Sequence, residues 1–370
     1  MKTAMVFASR KSEKAIASYS IFLTDKMKEN KIDVDNLTYT AGSPKSFFKL
    51  FSKFKKYDVI HIQHEYNLIG WYGVPFFLVF FLLGLMKKQK IITTMHTVVS
   101  LKDEFDGKIL KNFLRKSLYI LQNKFIKWAS DSIVVHAHFF VPILTQEYGF
   151  SKKKISVFRQ GIIENIKLIP KSKAKKELKL SGPVYLIIGN LTPESGLDII
   201  VKQANKIGKT VLVVSSPIPV NDRKKGRLAK YLNSTVKYAK KNKFEKYVRF
   251  DIKHISDEIP LWWKYFSAAD IVLQAYRGKV ASAIFTHAMS ANTPVVGSDI
   301  PFFNEISKEY GCIKVVKQKN NYSKILKEAL QSKNYKKMEK ECKRYSKENS
   351  WNNISLRYKG LYKFLLKNKS

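Results

Sequence analysis

Residues Ile271 to Ile306 read IVLQAYRGKVASAIFTHAMSANTPVVGSDIPFFNEI, and this stretch decides the fold. Ile271, Val272 and Leu273 form a short apolar run rich in β-branched residues, the composition of a buried strand. Tyr276-Arg277-Gly278-Lys279 is a polar break. Ala281 to Ala291 has the composition of a helix, Thr293-Pro294 stops it, and Val295-Val296-Gly297 starts a second buried strand. A strand–helix–strand of this length is a βαβ unit, whose strands are apolar throughout because helices cover the sheet. Ligands of such sheets sit at the carboxyl ends of the strands, and anionic groups sit where a helix N-terminus points its free N–H groups. Here that place is Gly278 to Ala283, with Arg277 and Lys279 adding positive charge. On residue types, this is a phosphate-sized anion site beside a polar pocket.

The rest of the chain sets the bounds. Its 370 residues suffice for two domains of ordinary size. Two cysteines, Cys312 and Cys342, imply no disulfide framework and a reducing compartment. Met1 to Ser9 runs straight into a strand-like segment instead of a secretory leader. The formal charge is +39, and only nine of the 68 basic residues are arginines. That bias argues against specific base readout, which favours the arginine fork. It suits nonspecific attraction to an anionic surface, either a membrane leaflet or nucleic acid. A lysine-rich genome composition is the blander explanation.

Several of these residues also follow a known pattern in order and spacing. Tyr276-Arg277, Ala281-Ser282-Ala283, His287-Ala288-Met289, Thr293-Pro294-Val295-Val296, Ser298-Asp299 and Phe303-Asn304-Glu305 resemble the donor-binding segment of family 4 glycosyltransferases. The resemblance covers nearly the whole chain. It takes in Ile16 to Ser20, Tyr57 to Glu65, Thr94-Met95-His96-Thr97, Gly189 to Gly196, Ala268-Ala269-Asp270 and the closing segment from Trp351.

The resemblance implies an α/β protein of the GT-B fold, two Rossmann-like domains facing each other across a cleft. Residues 1–165, with a crossing helix at 350–370, would hold the acceptor, and 166–349 the nucleotide sugar. It implies transfer with retention of anomeric configuration. It implies no metal and no cofactor, because helix dipoles and basic residues neutralise the diphosphate. His96 is the expected catalytic residue, near the donor sugar. The donor side is expected at Gly189, Asn190, Ser195, Gly196, Tyr276, Arg277, Lys279, Ser282, Ala283 and His287. His64 and Glu65, read as lying past a strand end, are expected on the acceptor side. The acceptor is expected to be a glycan or a lipid-linked group at an anionic membrane surface, with no specific nucleic acid.

The departures from the pattern carry weight. Asn190 stands where an Arg is usual and Ser195 where a Lys is usual. A charge-assisted hydrogen bond from each such cation would contribute roughly 1.5–3 kcal/mol. Lys279 and His287 hold the positions of two glutamates, and Ala15 that of a glycine. Arg159, Arg277 or Lys279 would have to replace the missing cations. The rival reading is a catalytically inactive scaffold with this fold. A third, a nucleic-acid binder, rests on charge alone.

Other stretches have simpler readings. Ser43 to Lys56 interleaves Phe and Lys, as either a packed Rossmann helix or an interfacial one. Val74 to Met86 is continuously apolar over about 13 residues, well short of the roughly 20 needed to span a bilayer. It reads as a helix mostly buried in the first domain, with its Phe residues open to partial insertion in one leaflet. His61 reads as a core histidine, His136 and His138 form a weak H-x-H metal motif, and Lys167 to Leu180 reads as the interdomain linker.

Overall fold

The structure is a computed structural model. It describes the chain except residues 67, 71–72, 87, 104–108, 218–222, 256–258, 279–281, 319–320 and 368–370, and except the side chains of residues 111 and 223–225. The chain divides into two compact units, Met1–Gly161 with Asn349–Ser370, and Ile162–Glu348.

Unit 1 holds a six-stranded sheet. Its strands are β1 (Lys2–Ala8), β2 (Asp33–Tyr39), β3 (Val59–His64), β4 (Lys90–Met95), β5 (Ser132–Val135) and β6 (Ile155–Val157). Their order is β2-β1-β3-β4-β5-β6 and every pair is parallel. Parallel neighbours need crossover helices, which explains why β3 and β4 are nearly wholly buried. Chain travel reverses at β1, so right-handed crossovers place helix Ala15–Glu29 on one face and helices Pro75–Gly84 and Ile109–Ala129 on the other. Ile16, Tyr19, Leu23 and Met27 form the inward stripe of the first of these. The closing helix Trp351–Lys367 packs there too, burying Trp351, Ile354, Tyr358 and Tyr362 beside Met5, Leu23 and Met27. Gly161 makes room for it: a Cβ there would lie 2.1 Å from the Trp351 ring.

Unit 2 repeats the plan with β7 (Val184–Ile188), β8 (Thr210–Ser215), β9 (Val248–Ile252), β10 (Ile271–Gln274), β11 (Val295–Ser298) and β12 (Ile313–Val316). The order is β12-β11-β10-β7-β8-β9, again all parallel. Travel runs one way from β7 and the other from β10, so the crevice beyond their carboxyl ends is the topological switch point.

Two sequence expectations change. Ser43–Lys56 is two short helices, Pro44–Phe48 and Phe51–Phe54, with Phe47 and Phe54 buried and the lysines outside. Lys167–Leu180 is no linker. Its helix Lys171–Glu177 belongs to unit 2, where Lys171 and Lys175 reach Asp270 at 3.1 and 2.7 Å. β2 and β12, not anticipated, complete the sheets at their edges.

Candidate functional site

The loop after β7 and the loop after β10 build one site in unit 2. Helix Ala283–Ser290 begins as its sequence dictates. Ser282 is extended, and its hydroxyl accepts from the Phe285 N–H at 3.1 Å, an N-cap that satisfies one of the four orphan donors of a helix start. The helix ends where Asn292 turns left-handed (φ 51°) and Pro294 follows. Gln274 donates to the same Ser282 hydroxyl at 3.0 Å, and Tyr276 meets it at 3.0 Å. Ser282 is thus a hub within the protein, 4% exposed, whereas Ala283 one residue on is exposed. The helix start beside Ala283 carries a neutral cap, and among the described residues no acidic side chain stands in its first turn.

On the facing side, Gly189 leaves β7 at φ 119°, and a Cβ there would lie 3.1 Å from Ile284. Gly196 is left-handed, and its Cβ would sit 1.9 Å from the Ala275 carbonyl oxygen. Only glycine allows these two loops to touch. Between them lies a cavity of about 240 Å³ lined by Gly189, Asn190, Ser216, Ile255, Trp262, Ile284 and His287. The ring of His287 lies edge-on against Trp262 and Trp263, with centroids at 5.5 and 5.4 Å. Ser216 donates to the Ile255 carbonyl at 3.1 Å and accepts from its N–H at 3.2 Å, joining the ends of β8 and β9 over the cavity. The site is therefore a slot with a flat apolar side and a polar backbone side, next to a helix start with a neutral cap.

The expected donor residues divide into three groups. Gly189, Asn190 and His287 line the cavity. Gly196, Tyr276, Ser282 and Ala283 shape the loops beside it. Two others are used internally. The Ser195 hydroxyl donates to the Thr192 carbonyl at 2.6 Å, closing its own turn. Arg277 pairs with Asp198 at 2.7 Å and also donates to the Pro193 carbonyl. Asp198 is held below the usual carboxylate range, since Arg277 and Tyr231 outweigh its burial. Arg277 thus braces the Gly189–Gly196 loop, with its charge paired to Asp198. Lys279 lies outside the described residues. No lysine or arginine is among the described residues lining the cavity.

Unit 1 gathers the histidines. His64 is the last residue of β3, not a residue beyond it, and is fully buried among Tyr66, Phe76 and Phe80. Burial pushes its pKa down to about 3. It is a core residue, which corrects the reading that placed it past the strand end. Glu65 is partly buried, and burial raises its carboxyl despite hydrogen bonds from Thr97 and the Tyr66 N–H. His61 is buried as expected, 2.6 Å from the Tyr362 hydroxyl and 2.7 Å from that of Thr94.

His96 follows β4 and is only partly covered. The Phe158 carbonyl, 2.9 Å from His136 Nδ1, can only accept, so that nitrogen carries the proton. His136 Nε2 lies 3.2 Å from His96 Nδ1, and the Gln63 side-chain oxygen lies 2.9 Å from His96 Nε2. Burial, then His136, His64 and His61, hold His96 well below its ordinary pKa. Both ring nitrogens of His96 are engaged inside unit 1.

Sequence reasoning missed Ser216, Trp262 and Ile284 in the cavity. The first two stand on elements other than the two quoted loops, and no local motif marks them. It also missed Glu13. The Glu13 carboxylate accepts from the N–H groups of Ala15, Ile16 and Ala17 at 2.9, 2.7 and 3.2 Å, filling the start of helix Ala15–Glu29. An acid two residues before a helix was the available signal.

No protein-family model matches the chain, and no curated protein matches it in sequence. Solved structures do. Sucrose-phosphate synthase from Thermosynechococcus elongatus is similar over 99% of this chain and 100% of that one, with a TM-score of 0.77 at 14% identity. HepE from Anabaena, in complex with UDP, is similar over 98% and 99%, with a TM-score of 0.71 at 13% identity. WaaG, a glycosyltransferase involved in lipopolysaccharide biosynthesis, is similar over 97% and 99%, with a TM-score of 0.62 at 11% identity. Likeness over the full length of both chains, with two parallel six-stranded sheets, establishes that this protein has the GT-B glycosyltransferase fold.

Proposed function

We propose that this protein is a glycosyltransferase that takes a sugar from a nucleotide-sugar donor held by unit 2. The observation that carries the reading is the cavity at the unit 2 switch point, bounded by the Gly189 loop and the open helix start at Ala283. The slot suits a planar base against Trp262 and Ile255, and the free N–H groups beside Ala283 suit a diphosphate. As the bond to the sugar breaks, negative charge grows on the leaving phosphate, and N–H groups fixed in place stabilise it without reorganising. Transfer proceeds with retention to a glycan or lipid-linked acceptor bound by unit 1, at an anionic membrane surface, and depends on His96.

A second reading has its own observation. The described cavity lining lacks a cation, and Arg277 is committed to Asp198, which favours a binding subunit without turnover. Thermal stability measured against UDP, GDP, ADP and their sugars separates the readings, beginning with UDP, which similar structures hold. A rise in Tm with one nucleotide, lost in Ser282→Trp, supports the donor site. Release of free nucleotide from its sugar then distinguishes an enzyme from a scaffold. No shift at millimolar nucleotide overturns the donor reading.

A further inference from the structure

Helices of a Rossmann-like unit bury one face and turn a polar one to water. Two helices of unit 1 do not. Helix Pro75–Gly84 buries Phe76, Val79, Phe80 and Leu83. Its outer line is nevertheless Val74, Leu78, Phe81 and Leu85, at helical spacing and 42–56% exposed. Helix Ile109–Ala129 buries Tyr119, Ile126 and Ala129, yet leaves Ile109, Leu110, Phe113 and Leu114 at 90, 69, 66 and 55% exposure. Leu121 and Trp128 continue the outer line at 41 and 51%. The two helices are joined: Phe81 stacks on Trp128 with centroids at 5.7 Å, and Phe77 on Phe125 at 5.9 Å. Single exposed apolar residues need no explanation, but a continuous strip across two helices does.

The charge carried by the two helices themselves bears on what covers them. Neither helix contains an Asp or a Glu. Lys124 is exposed between Leu121 and Trp128 on the same helix face, Lys88 is exposed just beyond the first helix, and Lys116 is partly exposed. A second copy seated face to face would bring the same cations together, so self-association is opposed. An anionic lipid surface instead accepts the apolar side chains among its acyl chains and pairs the lysines with headgroups. No described helix is long and apolar enough to cross a membrane, and this strip needs only to lie on one.

We propose that the outer face of helices Pro75–Gly84 and Ile109–Ala129 is the seat of this protein on an anionic bilayer, with Phe113 and Leu114 entering the acyl region. The inference deepens the membrane-surface reading above and rests on it.

Flotation of the full chain with vesicles tests it, comparing phosphatidylcholine alone with phosphatidylcholine mixed with phosphatidylglycerol. The wild type is expected to float with the mixed vesicles only, and the Phe113→Asp, Leu114→Asp double variant to lose binding at least tenfold. Both side chains are exposed, so folding is retained, checked by an unchanged Tm. Brominated acyl chains should also quench wild-type tryptophan fluorescence, and less so in Trp128→Phe. Equal flotation of the double variant would overturn this face while leaving membrane association by other lysines intact. No flotation of the wild type would overturn both, and a concentration-dependent dimer abolished by the double variant would assign the strip to a second copy. Nucleotide binding is measured separately, so its outcome stands apart.

Discussion

Two helix starts, one in each unit, stand beside sheet switch points and treat negative charge in opposite ways. Helix Ala15–Glu29 has its first three N–H groups filled by the carboxylate of Glu13. Helix Ala283–Ser290 is capped by the neutral hydroxyl of Ser282, with Ala283 exposed beside it. Each helix follows a strand at its own sheet's switch point, yet one start holds an internal anion and the other carries a neutral cap. The helix start alone does not make an anion site. Whether the chain has already supplied the charge decides it.

The units differ most in how they meet acid. Burial holds His61 and His64 at about 3 and His136 at about 4, with His96 also depressed, all in unit 1. The unfolded chain takes up these protons near pH 6.5, and the folded unit does so only far below. Stability from this cluster is therefore complete above about pH 6.5 and is lost as pH falls toward 4, on the order of 1 kcal/mol or more per histidine. Hydrogen exchange at pH 7.5 and pH 5 should show unit 1 opening first. Equal loss of protection in both units would remove this distinction.

A smaller effect is expected from converting the open start into a closed one. Ala283→Glu places an internal carboxylate where unit 2 now has none. The helix itself should be unharmed or gain about 0.3–1 kcal/mol. Nucleotide affinity should fall roughly tenfold, about 1.4 kcal/mol, as read by titration calorimetry. Affinity unchanged by the new charge would mean that the diphosphate does not sit there.

The reverse change is the smallest. Glu13→Ala should cost unit 1 about 1 kcal/mol of cap stability and leave nucleotide binding alone. Inorganic phosphate should then raise the Tm of the variant more than that of the wild type. If phosphate stabilises both alike, the filled start was never the barrier.

Much of the architecture is legible along the chain. The apolar runs at Ile271 and Val295, each followed by turn chemistry, are buried parallel strands, and Ser282 and Thr293-Pro294 bracket the helix between them. Two edge strands were harder. β2 alternates buried with exposed residues, and β12 spans only four, so neither presents a long apolar run. The site was legible only where its residues adjoin in sequence. Gly189 and Gly196 declare themselves by spacing, but the demand for them comes from Ile284 and the Ala275 carbonyl, in a distant part of the chain.

The sequence by itself determined the α/β class, the strand and helix periods, and the position of the unit 2 helix start, because these depend on local patterning and on backbone N–H groups that any helix exposes. Tertiary structure alone decided which charges remain available. Arg277 is balanced by Asp198, and His64 is walled in by Phe76 and Phe80. Whether a polar side chain can meet a ligand depends on the partners that folding brings within about 3 Å. Those partners, from His61 with Tyr362 to Arg277 with Asp198, stand tens to hundreds of residues away along the chain.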